Sequence, residues 1–134
     1  MKNINGKGVT LGRLASYVAK ETLKGNEINV VNCDQVIITG NRKTTEREFS
    51  EKRSRFGHSQ KGPKHPATSE KIVKRAIRGM LPNYREGRGR IAYKKIRCYV
   101  GIPKELADSE ITEIASDKKI KFNKVSEFTK RGAQ

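Results

Sequence analysis

Residues 2–31, KNINGKGVTLGRLASYVAKETLKGNEINVV, decide the fold of this 134-residue chain. The first four residues predict a short strand, and a Gly6-Lys7-Gly8 turn separates them from a segment whose apolar residues recur at helical spacing. Gly25 ends that helix, whose inward face is formed by Leu11, Leu14, Ala15, Val18 and Thr22. β-Branched runs at residues 28–33 and 36–39 predict further strands. Strand, helix and strand at this short spacing favour a βαβ unit and therefore a mainly parallel sheet.

The rest of the scaffold is predicted further along the chain. A strand is expected at residues 96–100, and a short helix at residues 123–131 would place Val125 and Phe128 on one face. The length corresponds to one domain that covers residues 1–134.

Two cysteines, Cys33 and Cys98, lie in or beside apolar, strand-like runs. Zinc sites commonly place pairs of ligands only a few residues apart, a spacing that these two do not have. We therefore expect buried free thiols, as in a protein of a reducing compartment, with a redox or metal role as the alternative.

Net charge is the dominant property of the composition. The chain has 30 Lys and Arg against 14 Asp and Glu, a net charge of +16. Residues 40–100 carry 18 basic and 5 acidic side chains, a net +13, whereas residues 1–39 and 101–134 carry only +2 and +1. Such a field favours nucleic acid or an anionic membrane as the partner. No apolar run approaches the roughly 20 residues that span a bilayer, and no signal-like stretch follows Met1. We expect a cytosolic protein that binds a nucleic acid through a segment at roughly residues 41–97.

Two helices are predicted in this basic segment, joined by an irregular basic loop at residues 53–67. The first, at residues 41–55, is very polar, with Thr45 and Glu48 as a capping box. The second, at residues 68–81, is capped by Thr68, and its apolar face is formed by Ile72, Val73, Ala76, Ile77 and Met80. Its other side carries a stripe of four cations, defined as Lys71, Lys74, Arg75 and Arg78. Solvated faces usually mix charge signs, so an all-positive stripe predicts contact with phosphates.

Two glycine patterns suggest a nucleotide-binding function as an alternative. GRGRIA at residues 87–92 fits G-x-G-x-x-A, but a turn precedes it where a dinucleotide site has a strand. Gly6-x-Gly8 has the better context, although its spacing to Gly12 departs from the fingerprint. An α/β nucleotide-binding enzyme that uses the turn from Gly6 to Gly12 therefore stays an alternative, as does a chromatin-like DNA binder. His58 and His65 have no neighbouring nucleophile or carboxylate in the sequence that would suggest a triad.

Several motifs closely resemble large-subunit ribosomal protein thirteen, in its archaeal and eukaryotic branch. They are GRLAS at residues 12–16, VVN at 30–32, GPKH at 62–65, RAIRGMLP at 75–82, RGRIA at 88–92 and YVGIP at 99–103. The likeness covers residues 4–132. It departs from the usual pattern at residues 66–69, where relatives carry an arginine whose place Lys64 would take.

The resemblance implies a three-layer α/β/α fold with a small, mostly parallel four-stranded sheet and basic helical and loop extensions. It further implies a non-enzymatic protein without cofactor, metal or small-molecule substrate, which binds large-subunit ribosomal RNA, contacts neighbouring ribosomal proteins and supports early subunit assembly. The side chains expected to contact RNA are Arg42, Lys43, Arg47, Lys52, Arg53, Arg55, His58, Lys61, Lys64, His65, Lys71, Lys74, Arg75, Arg78, Arg85, Arg88, Arg90, Lys94 and Lys95.

Overall fold

A computed structural model of the chain describes residues 1–55, 65–116 and 121–129. The strands are β1 (Lys2–Asn5), β2 (Ile28–Val31), β3 (Ile37–Thr39), β4 (Ile96–Cys98), β5 (Ile111–Glu113) and β6 (Phe122–Lys124). The α-helices are α1 (Leu11–Leu23), α2 (Arg42–Ser54), α3 (Ser69–Met80) and α4 (Gly87–Lys94). Short 3-10 helices lie at Cys33–Gln35, Lys104–Leu106 and Val125–Phe128.

Four strands form the main sheet in the order β4-β2-β1-β5, and every pairing within it is parallel. β1 pairs with β2 so that Ile4 lies beside Val30, and with β5 so that Ile4 lies beside Thr112. α1 connects β1 to β2, as the βαβ pattern predicts. The α/β class with a small parallel four-stranded sheet is thus confirmed.

The helices α1, α3 and α4 pack against one face of this sheet. Ile4, Ile28, Val30 and Ile96 of the strands are fully buried in the same cluster as the inward residues of the helices. Burial of this apolar surface is the main source of stability for the scaffold. α1 presents the face predicted for it, and its one buried hydroxyl, on Thr22, donates to the carbonyls of Val18 and Ala19.

The opposite face of the sheet carries asparagines. Asn29 Nδ2 donates to Asn3 Oδ1 at 3.0 Å, and Asn3 Nδ2 donates to Ser109 Oγ at 2.9 Å. Both amides are buried, and these bonds satisfy them. The segment that follows Lys104–Leu106 therefore contacts the sheet on the side away from the helices.

The pairing of β3 and the structure of the C-terminal part of the chain both differ from the prediction. β3 does not join the main sheet, because it pairs antiparallel with β6 in a separate ribbon. The predicted helix at residues 123–131 is wrong over its described part, which consists of β6 and the 3-10 helix Val125–Phe128. Pairing with β3 and a bond from the Val125 amide to the Val36 carbonyl at 2.8 Å supply the backbone partners that a helix would have supplied.

Local details of the helices also differ from the prediction. The capping box of α2 is wrong, because Asn41 is the N-cap and accepts from the Lys43 amide, while the Thr45 hydroxyl donates back to the Asn41 carbonyl. Thr68 precedes α3 as expected, but its hydroxyl makes no capping hydrogen bond within the described residues. Met80 is 46% exposed instead of buried, and Leu81, which follows the end of α3, is buried in the core instead.

The two cysteines are free thiols, as predicted. Cys33 is buried, and Cys98 is half-buried in β4 opposite Val30. A hydrogen bond with the Cys98 thiol, together with burial, raises the pKa of the Cys33 thiol, so Cys33 stays protonated at neutral pH.

Candidate nucleic-acid interface

α2 projects most of its side chains into solvent and touches the scaffold at only a few points. Phe49 stacks on Phe128 with 5.4 Å between the ring centres. Arg53 lies over the Phe49 ring and donates from Nε and Nη2 to the Pro66 carbonyl at 3.3 and 3.2 Å. Burial lowers the pKa of this guanidinium. Arg53 thus links α2 to the segment before α3. Its contact with RNA stays a prediction.

The other cations of α2 are exposed, and part of their charge is balanced within the protein. Arg42 lies 3.9 Å from Glu127, and Arg47 lies 4.0 Å from Glu51 on the next turn. Exposed pairs of this kind contribute little to stability, commonly below about 1 kcal/mol, so they can be exchanged for contacts with a phosphate. The remaining exposed cations at or just after the helix are Lys43, Lys52 and Arg55.

Cations from two helices converge on His65, which precedes α3. Burial, followed by the charge of Arg75, lowers the pKa of the His65 imidazole, and Lys52, Arg53 and Arg55 act in the same direction. The ring is therefore biased towards its neutral form. The carboxyl end of α2 and the middle of α3 form one electropositive surface at this point.

The cationic stripe of α3 is present as predicted, and its members have different neighbours. The charge of Arg75 lowers both the pKa of the His65 imidazole and the pKa of the Tyr84 phenol. Lys74 and Arg78 instead approach aromatic rings: Lys74 Nζ lies 4.8 Å from the centre of the Tyr93 ring, and Arg78 Cζ lies 4.4 Å from that of Tyr84. Lys71, by contrast, is exposed.

The turn between α3 and α4 adds a third cation to the same rings. Arg85 Cζ lies 5.4 Å from the centre of the Tyr84 ring, and its Nε donates to the Tyr84 hydroxyl at 3.2 Å. That hydrogen bond, with the charges of Arg85 and Arg78, lowers the pKa of the Tyr84 phenol. Tyr84 in turn packs against Tyr93 with 6.0 Å between the ring centres.

Gly89 allows this turn to lie against α4. A Cβ atom at residue 89 would lie 2.3 Å from the Pro82 carbonyl oxygen and 2.5 Å from that of Asn83. The glycine-rich motif thus brings the chain close to its own backbone. Gly87, by contrast, is exposed and has a φ of +61°.

α4 extends the positive surface away from the rings, with Arg88, Arg90 and Lys94 exposed on it. Lys95 differs from these three, because its Nζ donates to the Gly25 carbonyl at 3.1 Å and ties the end of α4 to the turn after α1.

The α3–α4 corner, defined as residues 71–94, lacks the internal charge balance seen in α2. Within residues 1–55, 65–116 and 121–129, no carboxylate forms an ion pair with seven of its cations. These are Lys71, Lys74, Arg78, Arg85, Arg88, Arg90 and Lys94. Like charges held together in this way are stabilised when a polyanion binds.

Three of the predicted contacts, His58, Lys61 and Lys64, lie outside the described residues. Two aromatic residues of the corner, Tyr84 and Tyr93, were not predicted. The available signal was the interleaving of tyrosine with arginine and lysine in YREGRGRIAYKK, residues 84–95.

The first part of the turn from Gly6 to Gly12 uses its backbone amides within the protein. The amides of Lys7, Gly8 and Val9 donate within the protein, to the Asn5 side chain and to the carbonyls of Gln35 and Gly6. A Cβ at residue 6 would meet Val36 at 2.8 Å, so Gly6 serves close packing. An anion site at a helix start needs free amides, and these three amides are already engaged within the protein.

Other kinds of site receive no support from the part of the chain that the structure covers. The described ranges bring together no group of three His, Cys, Asp or Glu side chains able to hold a metal ion. Among the same residues, no helix combines the length and apolar character needed to cross a membrane.

Comparison with known proteins gives a consistent result. A family model described as ribosomal protein L13 matches residues 2–105. The chain is 47% identical over 116 residues to the large ribosomal subunit protein uL13 of Methanosarcina barkeri, covering 86% of this chain and 81% of that protein. It is 44% identical over 113 residues to uL13 of Methanocaldococcus jannaschii, covering 82% of each. Identity to uL13 of Methanococcoides burtonii is 38% over 134 residues, covering 94% of this chain and 95% of the relative.

Proposed function

The chain belongs to the ribosomal protein L13 family, and from that premise we propose that it binds large-subunit ribosomal RNA through its basic surface and supports early assembly of the subunit. Membership makes it a structural, non-enzymatic protein of the large ribosomal subunit, located in the cytoplasm. Neighbouring large-subunit proteins are its further expected partners.

The main observation in support of RNA binding is the unbalanced positive charge of the α3–α4 corner. Its seven cations without a described carboxylate partner are half-buried or exposed, so their charged ends remain accessible to a ligand. RNA phosphates that bind these cations would release their condensed counterions, so the affinity would depend strongly on salt. Helix α2 and the His65 surface would add contacts with further RNA segments.

The proposal is tested by reversing charge on α3. Arg75→Glu with Arg78→Glu should lower affinity for deproteinised large-subunit rRNA by at least about tenfold at roughly 0.1 M salt, because two phosphate contacts become repulsive. Filter binding measures the affinity, and circular dichroism checks that the fold persists.

A matched control distinguishes the effect of losing cations on α3 from the effect of lowering the net charge of the protein. Lys7→Glu with Lys104→Glu reverses two exposed lysines outside the basic segment and changes the net charge by the same amount. It should alter affinity by less than about threefold. Equal losses in both double variants would show that only overall charge matters, and unchanged affinity of the α3 variant would remove α3 from the interface.

A further inference from the structure

We propose that Tyr84 and Tyr93 build a preorganised phosphate-binding site in which they position Lys74, Arg78 and Arg85 for consecutive backbone phosphates of one RNA strand. The inference rests on the proposed rRNA binding and assigns the tyrosines a role within it. Both are positioning residues, because they act on RNA through the cations that they hold.

The site is anchored to the core through Tyr93. That ring is half-buried and packs against the core cluster, and Tyr84 lies on it at 6.0 Å. The turn that carries Tyr84 is itself constrained: Asn83 Oδ1 accepts from the Arg85 amide at 3.1 Å, and Gly89 lets the turn lie against α4. The Tyr84 ring is therefore a fixed platform on an otherwise exposed corner.

Two guanidinium groups share that platform. Both Cζ atoms lie within 5.4 Å of the centre of the Tyr84 ring, so two positive charges are held close together. Contact with an aromatic face leaves the in-plane N–H groups of an arginine available for a bidentate bond to phosphate. Among the described residues, Arg85 uses only its Nε in a side-chain hydrogen bond, to the Tyr84 hydroxyl.

Lys74 extends the site by one more charge. Its Nζ lies 4.8 Å from the centre of the Tyr93 ring, and this ring packs against Tyr84, which both arginines contact. None of the three cations forms an ion pair with a described carboxylate. A row of unbalanced cations on a rigid aromatic base matches the repeated charges of a nucleic-acid backbone.

The test uses variants that leave every charge in place. Tyr84→Leu removes the ring and should weaken binding of deproteinised large-subunit rRNA by roughly fivefold, since each cation–π contact is worth about 0.5–1 kcal/mol at an exposed site. The plot of log affinity against log salt concentration should also become shallower by about 0.7–0.9, the value for one phosphate contact. A ring with only a local structural role would not change that slope, because every phosphate contact would remain.

Conservative variants make the outcome specific. Tyr84→Phe keeps the ring beneath Arg78 and should restore affinity to within about twofold of the wild type. Arg78→Lys keeps the charge but loses the planar fork, and should weaken binding more than Arg90→Lys, the same change at an exposed arginine that contacts no ring among the described residues.

The failure of this inference is distinct from failure of the proposed function. If the wild type binds rRNA and Tyr84→Leu keeps both its affinity and its salt slope, the tyrosine site is wrong while rRNA binding stands. If Tyr84→Leu melts at a lower temperature, its loss of affinity could come from partial unfolding, and the comparison of Arg78→Lys with Arg90→Lys then tests the inference. Equal losses of rRNA affinity in these two variants would overturn it. If the wild type itself fails to bind rRNA, the proposed function falls first.

Discussion

At the scale of single residues, Glu21 shows how the few acidic side chains of the scaffold are used. Its carboxylate accepts hydrogen bonds from Lys2 of β1, from Lys24 at 3.0 Å and from Asn26 at 3.1 Å. It therefore ties the first strand to the end of α1. The bonds from Lys2 and Lys24 lower the pKa of Glu21 to about 2.

This shift predicts a specific loss of stability in acid. Because the folded-state pKa lies below the ordinary value of 4.5, Glu21 stabilises the fold above that pH and loses its contribution as the pH falls towards 2. Glu21→Gln should lower the melting temperature at pH 7 and reduce the further loss between pH 4.5 and pH 2. Thermal melts across that range measure both effects.

The control is Glu27→Gln, at an exposed glutamate without an ion pair among the described residues. It should keep the pH dependence of the wild type. Identical acid profiles for wild type and Glu21→Gln would show that the bonds to Glu21 contribute nothing to stability.

At the scale of elements, the α3–α4 corner depends on a close approach of backbone to backbone. The turn at Pro82 and Asn83 lies against Gly89, where even one methyl group would overlap two carbonyl oxygens. This contact orients Tyr84 relative to α4, and through Tyr84 the arginines that it holds. The glycines of GRGRIA therefore shape the corner.

Alanine substitutions at three glycines should distinguish a loss of stability caused by close packing from one caused by an unfavourable backbone conformation. Gly89→Ala should destabilise the protein by about 2 kcal/mol or more, because carbonyl oxygens of the main chain cannot move aside without shifting the turn. Gly87→Ala should lower stability by about 1–2 kcal/mol, since its positive φ strains an L residue in open space. Urea denaturation measures these changes.

Gly79→Ala is the matched control, because this helical glycine has nothing within 4 Å of an added Cβ. It should leave the free energy of unfolding unchanged or raise it by up to about 1 kcal/mol, as alanine favours the helix. A Gly89→Ala variant as stable as Gly79→Ala would contradict the close packing of turn and helix.

The elements also show what a sequence can predict here. The βαβ unit and the apolar face of α3 follow from periodicity, because their residues, such as Leu14 and Ile77, repeat at helical spacing and are buried. β5 is too short and polar to give such a signal, and the pairing of β3 with β6 is a long-range choice that local pattern does not contain. Likewise, the charge pattern predicts an interface on α3, whereas the role that we propose for Tyr84 depends on a turn geometry visible only in three dimensions.

At the scale of the whole molecule, the fold separates stability from binding. Three strands of the sheet (β1, β2 and β5) and helix α1 come from the weakly charged ends of the chain, whereas α2, α3, α4 and β4 lie within residues 40–100, which carry a net +13 of the total +16. α3 belongs to both parts, since Ile72, Val73 and Ile77 enter the core while the stripe faces outward. A rigid scaffold that displays cations suits a protein that holds RNA segments in place.

Salt-dependent sedimentation of the tagged chain with the large ribosomal subunit tests this account most directly. Cell lysate is layered on a sucrose gradient at about 0.1 M salt and, in parallel, at about 1 M salt, where charges are screened within roughly 3 Å. We predict that the chain migrates with the large subunit at low salt, that high salt releases it, and that Arg75→Glu with Arg78→Glu weakens its incorporation. A chain that stays out of the ribosomal fractions at low salt would contradict the account.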